Sequence, residues 1–182
     1  MTDEQIVGLV QNGDTRAFTE LVRRHQDAVY AMALRFTGDS RDAEDVGQDV
    51  FLKAFRSLPG FKGEAKFTTW LYRIAYNLCI DWLRKTRRSR GRNVPIDDAG
   101  EVADGGAGPE SGILCAEDRA RVNGAVGELE ERYRSVVILL YYQKLSYDEI
   151  SGVLGIPVKT VETRLYRARR MLREKDLTDA LA

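Results

Sequence analysis

Ser146-Tyr147-Asp148-Glu149-Ile150-Ser151-Gly152-Val153-Leu154-Gly155-Ile156-Pro157-Val158-Lys159-Thr160-Val161-Glu162-Thr163-Arg164-Leu165-Tyr166-Arg167-Ala168 decides how this chain is read. Ser146 and Glu149 stand at the Ser-x-x-Glu spacing of a capping box, in which each side chain serves the other residue's backbone N–H. Ile150, Val153 and Leu154 continue a short helix, and Gly155 closes it. A second helix opens after Ile156-Pro157, with Val161, Leu165, Ala168 and Leu172 inward at steps of four, three and four. A capped helix, a tight turn and a second amphipathic helix make the outline of a helix-turn-helix.

The second helix leaves Lys159, Thr160, Glu162, Thr163, Tyr166, Arg167 and Arg170 on its outer side, with Arg164, Arg169 and Arg173 flanking them. Arginine can donate two hydrogen bonds to a guanine edge, and Thr or Tyr can reach a phosphate or a thymine methyl. This pattern predicts a recognition helix for the major groove of duplex DNA.

Upstream, Val122, Val126, Leu129, Tyr133, Val136, Val137, Leu140 and Tyr141 form another helical face. The first half of the chain also reads as helix. Phe18, Leu21, Val22, Val29, Met32, Ala33 and Phe36 share one face, ended at Thr37-Gly38-Asp39. Val46, Val50, Phe51, Ala54, Phe55 and Leu58 form a second stripe, stopped by Pro59-Gly60. Two adjacent stripes follow, one of Phe67, Leu71, Ala75 and Cys79 and one of Trp70, Ile74, Leu78 and Trp82. Together they predict a wide buried face, with Cys79 as core filler and both tryptophans in the core. No alternation of period two is sustained anywhere, so the fold class is all-α.

Net charge is zero over 182 residues, but the charges are segregated. Residues 1–93 carry 16 basic against 12 acidic side chains, and residues 119–182 carry 12 against 9. Between them, residues 94–118 hold 7 acids and no Lys or Arg. That strip is rich in Gly, Asp and Ala, contains Pro95 and Pro109, and cannot bury enough surface to offset its ordering entropy. The expected organisation is therefore two small helical domains, 1–93 and 118–182, joined by a flexible acidic linker over 94–117.

Basic residues are concentrated again in Arg84-Lys85-Thr86-Arg87-Arg88-Ser89-Arg90-Gly91-Arg92, a cluster suited to a polyanion. The preceding helix turns Tyr72, Arg73, Tyr76 and Asn77 away from its apolar stripes, and the segment before it holds Phe61, Lys62, Gly63 and Lys66. Aromatic faces beside cations are what unpaired bases need, so this region is expected to bind single-stranded nucleic acid. Asp39, Asp42, Glu44, Asp45 and Asp49 form an acidic helix start suited to a basic protein partner.

Several function classes fall away. No apolar run is long enough to span a bilayer, and the N-terminal Met1-Thr2-Asp3-Glu4-Gln5 is too polar for a signal peptide. Cys79 and Cys115, with His25 the sole histidine, make neither a disulfide framework nor a zinc site, so a reducing cytoplasmic compartment is expected. Neither a metal nor a cofactor is expected. With no converging carboxylates and with Ser146 reading as a cap, no catalytic residue is assigned and the chain is expected not to be an enzyme. The alternative function is a helix-turn-helix regulator that acts on duplex DNA without being a polymerase subunit. That reading leaves the acidic helix and the aromatic segment unexplained.

Three segments in order resemble the extracytoplasmic-function (ECF) sigma factors, group IV of the bacterial primary-sigma superfamily. Asp42-Ala43-Glu44-Asp45-Val46-Gly47-Gln48-Asp49-Val50-Phe51 is similar to the family's core-polymerase-binding segment. Phe61 through Asn77, with Phe67-Thr68-Thr69-Trp70-Leu71-Tyr72-Arg73 at its centre, resembles the promoter-melting and minus-ten-reading segment. Tyr147 through Arg169 resembles the helix-turn-helix for the minus-thirty-five element.

The resemblance implies an alternative sigma factor that binds core RNA polymerase and directs promoter-specific initiation. Its implied polymerase contacts are Asp42, Asp45, Gln48, Asp49 and Phe51. Phe61, Lys62, Lys66, Tyr72, Arg73, Tyr76, Asn77, Arg84, Arg87 and Arg88 are the implied minus-ten contacts. Lys159, Thr160, Glu162, Thr163, Arg164, Tyr166, Arg167 and Arg170 are those for the minus-thirty-five duplex. Core polymerase, promoter DNA and an anti-sigma factor are the implied partners, with possible retention at a membrane only through the last and no stable membrane insertion of the chain itself. Two residues depart from the family: Glu162 is acidic where a basic or small residue is more usual, and Gly47 replaces a larger apolar one.

Overall fold

The computed structural model describes residues 1–90 and 116–174, and the described residues form helices without a strand. They fall into two compact units, the first holding α1 (Asp3–Gln11), α2 (Phe18–Thr37), α3 (Ser40–Ser57) and α4 (Phe67–Arg90). The second holds α5 (Ala116–Glu128), α6 (Glu131–Val137), α7 (Tyr147–Leu154) and α8 (Val158–Arg173). Most of the expected linker, residues 94–115, lies outside the described residues; α5 begins at Ala116.

In the first unit α2 packs along α4, and α1 lies against both. Phe67, Leu71, Ala75 and Cys79 form the fully buried stripe of α4, facing Leu21, Val29, Met32, Ala33 and Phe36 of α2. The neighbouring stripe sits at the margin of the core, where Trp70, Leu78 and Trp82 are only half-buried. The expectation that both tryptophans are core is corrected accordingly: an indole at the edge of a two-helix contact keeps one face in water. Burial on α3 is confined to Ala43, Val46, Val50 and Ala54, with Leu58 just beyond its end. These are small or branched side chains, and they leave Phe55 exposed, its ring meeting Phe18 edge-on at 5.0 Å.

Helix α1 is additional to the elements read from the sequence. It carries its own capping box, in which Thr2 Oγ1 accepts from Gln5 N–H and Gln5 Oε1 accepts from Thr2 N–H at 2.8 Å. Ile6 and Val7 bury its inner face. Asp3 fixes its start to α2, with Oδ2 lying 2.7 Å from His25 Nε2 and Oδ1 accepting from Arg24 Nη1.

In the second unit the long face read as one helix is three pieces. A single turn of π-helix, Ile138–Tyr142, follows α6 directly, and its wide pitch shows in the bond from Gln143 N–H to the Ile138 carbonyl at 3.1 Å. Leu145 N–H then reaches back to the Leu139 carbonyl, across Lys144 in the left-handed region at φ 54°. The expected capping box opens α7: Ser146 Oγ accepts from Glu149 N–H, and Glu149 Oε2 accepts from Ser146 N–H at 2.9 Å. Gly155 adopts φ 65°, a conformation that costs a glycine nothing, and its N–H bonds the Ser151 carbonyl. Pro157 then starts α8 with an extended ψ of 146°. Ile150, Val153, Val161, Leu165, Ala168 and Leu172 bury the seam between the two helices.

Candidate functional site

On α8 the buried residues Val161, Leu165, Ala168 and Leu172 define one face, and the opposite face is almost entirely polar. Lys159, Glu162, Thr163, Tyr166, Arg167 and Arg170 are exposed, while Thr160 and Arg164 lie half-buried beside them. Tyr166 is the clearest case: it is 69% exposed in mid-helix, where a phenol ring makes little sense as packing. The Thr163 hydroxyl donates to the Lys159 carbonyl at 2.8 Å, so its methyl and its oxygen lone pairs are what it can present outward. Arg169 belongs to a different set of contacts. Its Nε donates to the Tyr141 hydroxyl at 2.8 Å, and its guanidinium lies 5.7 Å from that ring's centroid. Hydrogen bonding to Tyr141 is the main reason that Arg169 holds its proton more tightly than usual.

On α4, Arg73, Asn77, Arg84 and Arg88 are exposed at steps of four, seven and four, which keeps them broadly on one side of the helix. Arg87 is exposed beside them, and Arg84 lies 3.8 Å from Asp81. Tyr76 is half-buried with its ring 6.1 Å from that of Phe36. Tyr72 departs from expectation. It is only 7% exposed, and burial, followed by the charge of Asp3, raises its phenol pKa. The apolar face of α4 is wide enough to take in Tyr72 beside Leu71 and Ala75, so its ring is core and cannot stack on a base.

Residues 61–66 link α3 and α4 through a turn at Gly63, φ 74°. Phe61 is half-buried, its ring 5.1 Å from Trp70 and 6.3 Å from Phe67, so these aromatics close the base of the loop. Lys62 and Lys66 stand exposed between them.

On α3 the face opposite Val46, Val50 and Ala54 carries Asp45, Gln48 and Asp49, all exposed, with Asp42 and Phe51 half-buried at its margins. Leu52 extends that face at 53% exposure, and Phe55 lies near it at 39%. Neither was assigned a role from the sequence. The available signal was spacing, because Leu52 is seven residues beyond Asp45 and out of step with Val46 and Val50.

Residues 21–89 match the family Sigma-70 region 2, and residues 119–172 match Sigma-70, region 4. The ECF RNA polymerase sigma-E factor of Escherichia coli (strain K12) is 38% identical over 181 residues, covering 96% of this chain and 94% of that protein. Among solved structures, CnrH in complex with the cytosolic domain of CnrY is 31% identical, with a TM-score of 0.72 over 98% of this chain and 97% of that one. The sigma factor RpoE in complex with the anti-sigma factor NepR from Bartonella quintana is 26% identical, with a TM-score of 0.71 over 86% of this chain and 94% of that one. The chain belongs to the ECF family of RNA polymerase sigma factors. It is an alternative sigma factor, and it directs transcription initiation by core RNA polymerase at promoters.

Proposed function

We propose that the two units divide this work, with residues 1–93 engaging core polymerase and the minus-ten region and residues 118–182 holding the minus-thirty-five duplex. The observation that carries the reading is the two-sidedness of α8, a continuous buried seam backed by Lys159, Glu162, Thr163, Tyr166, Arg167 and Arg170 in the open. A helix of that kind, following a left-handed turn, suits the major groove. Thr160 and Arg164 border the same surface.

Asp45, Gln48 and Asp49, with Asp42 and Phe51 at the margin and Leu52 and Phe55 adding apolar area, form the polymerase-binding face. Acids around exposed apolar side chains suit a basic partner helix that also buries hydrophobic surface. Lys62, Lys66, Arg73, Tyr76, Asn77, Arg84, Arg87 and Arg88 take the opened strand at minus ten, with Phe61 shaping the loop root. Tyr72 takes no part.

The chain acts in the cytoplasm as a binding factor without catalytic activity of its own. Among the described residues no helix is long and apolar enough to cross a membrane. An anti-sigma factor is the regulating partner, in keeping with the complex known for the Bartonella protein.

Run-off transcription with purified core polymerase tests this on a closed promoter and on the same promoter opened by a mismatched bubble at minus ten. Opening a duplex loses about 1.4 kcal/mol of stacking per step, which a strand-binding surface must offset. Substituting Lys62, Lys66 and Asn77 together by Ala is expected to cut transcription sharply from the closed template while the bubble template recovers most of it. Full strand opening by this variant on the closed template, read with permanganate, would return the loop to a structural role.

A further inference from the structure

Gln11, the last residue of α1, reaches across to the root of the loop that precedes α4. Its side-chain nitrogen donates to the Leu58 carbonyl at 2.9 Å and to the Phe61 carbonyl at 2.8 Å. Those two carbonyls bracket the tight turn Leu58–Gly60, and the Leu58 carbonyl also accepts from Phe61 N–H at 3.0 Å. Only an –NH2 group, with two donor hydrogens, satisfies both acceptors at once; the amide oxygen of Gln11 could serve neither. The turn is thereby held in one conformation, and Phe61 leaves it with its ring directed onto Trp70 and Phe67.

The support behind Gln11 is itself rigid. Ile6 and Val7 are buried, Thr2 and Gln5 cap the helix reciprocally, and Asp3 is held by His25 and Arg24 of α2. Helix α1 therefore links α2 to the loop root through a side chain that contributes little burial of its own, since Gln11 is exposed. A long exposed side chain loses rotamer entropy when fixed, and its two backbone contacts are the compensating gain.

We infer that Gln11 is a positioning residue for promoter opening. Resting on the reading of the loop as the strand-opening surface, it fixes where Lys62 and Lys66 stand when the duplex separates. Its amide donors, and not its bulk, carry that role.

The test uses full-length protein assembled with core polymerase and compares Gln11→Glu, which keeps the shape and loses both donors, with Gln11→Lys, which restores a donor. Gln11→Glu is expected to slow the appearance of permanganate-reactive thymines on a closed promoter by about five- to tenfold, the scale of one or two lost hydrogen bonds. On a template opened beforehand at minus ten the same variant should fall within about twofold of the parent, with core-polymerase affinity unchanged. Gln11→Lys is expected to recover most of the opening rate. Opening at the parental rate by Gln11→Glu, equal losses on both templates, or no recovery with lysine would each overturn the inference. The Lys62, Lys66 and Asn77 triple variant runs alongside. If the triple variant fails to open while Gln11→Glu opens normally, only the positioning role falls; if the triple variant opens fully, the loop assignment falls with it.

Discussion

Arg169 of α8 and Tyr141 of the π-helical turn form one contact with two components, a hydrogen bond of 2.8 Å from Nε to the phenol oxygen and a guanidinium 5.7 Å from the ring centroid. The pair ties the recognition helix to an element outside the helix-turn-helix itself. Tyr141→Phe keeps the ring and removes the acceptor. It is expected to weaken binding of a minus-thirty-five duplex by about 1 kcal/mol, about fivefold, measured by fluorescence anisotropy. Tyr141→Ala removes both components and should cost more. Equal affinity for the Phe variant and the parent would leave the hydrogen bond without a role in seating α8.

Reversing Asp45 and Asp49 to Lys should abolish co-purification with core polymerase. Both are exposed and remote from the buried Val46, Val50 and Ala54 face, so the fold should survive the change. Binding of the second unit to free duplex DNA should be unaltered. Unchanged co-purification of the double variant counts directly against the α3 assignment.

Arg167 and Lys159 are expected to differ in kind. Arg167→Ala should lose discrimination at one base position, worth about 1–3 kcal/mol for a bidentate contact. Lys159→Ala should weaken every sequence alike and lower the salt slope by about one unit. A panel of single-base promoter variants, titrated at several salt concentrations, separates the two. Uniform weakening by both substitutions would make Arg167 a phosphate contact.

Much of this architecture is legible in the sequence because it obeys local rules. The Ser146–Glu149 box, Gly155 and the step of Val161, Leu165, Ala168 and Leu172 each express one backbone requirement, and each appears in place. Helix α1 obeys the same capping rule through Thr2 and Gln5, but a polar terminus hides it until Ile6 and Val7 are seen buried. Tyr72 and the tryptophans depart for another reason. Periodicity gives the direction of a face, whereas its width is set by what packs against it, here α1 and α2. The Gln11 contacts join residues 47 and 50 positions apart, a distance at which no local pattern speaks.

Glu20 provides a pH test of the first unit. It accepts from Nε and Nη2 of Arg23 and from Nε of Arg24, and these bonds hold its carboxyl at about 2, down from an ordinary 4.5. A depressed folded-state value means that its contribution is fully present above the ordinary value and lost as pH falls from about 4.5 through about 2. The difference in urea midpoint between the parent and Glu20→Gln should therefore be full at neutral pH and close across that acid window. It should also be small, because the group is solvent-screened. A difference that persists unchanged below pH 2 would assign the effect to something other than this carboxylate.

The π-helical turn makes this protein sensitive to single-codon deletion in a way that substitution tables do not register. Each residue of an α-helix advances the chain by about 100°. The bond from Gln143 to Ile138 accommodates one residue more than an α-helical turn would. Removing Leu140 would let the segment close into ordinary pitch and swing whatever follows by about that angle, carrying the Tyr141 hydroxyl away from Arg169. The Ile150, Val161 and Leu165 seam would still assemble, giving a folded helix-turn-helix whose outer face had lost its outside anchor. In this stretch of chain the number of residues constrains the lineage as tightly as their chemistry does.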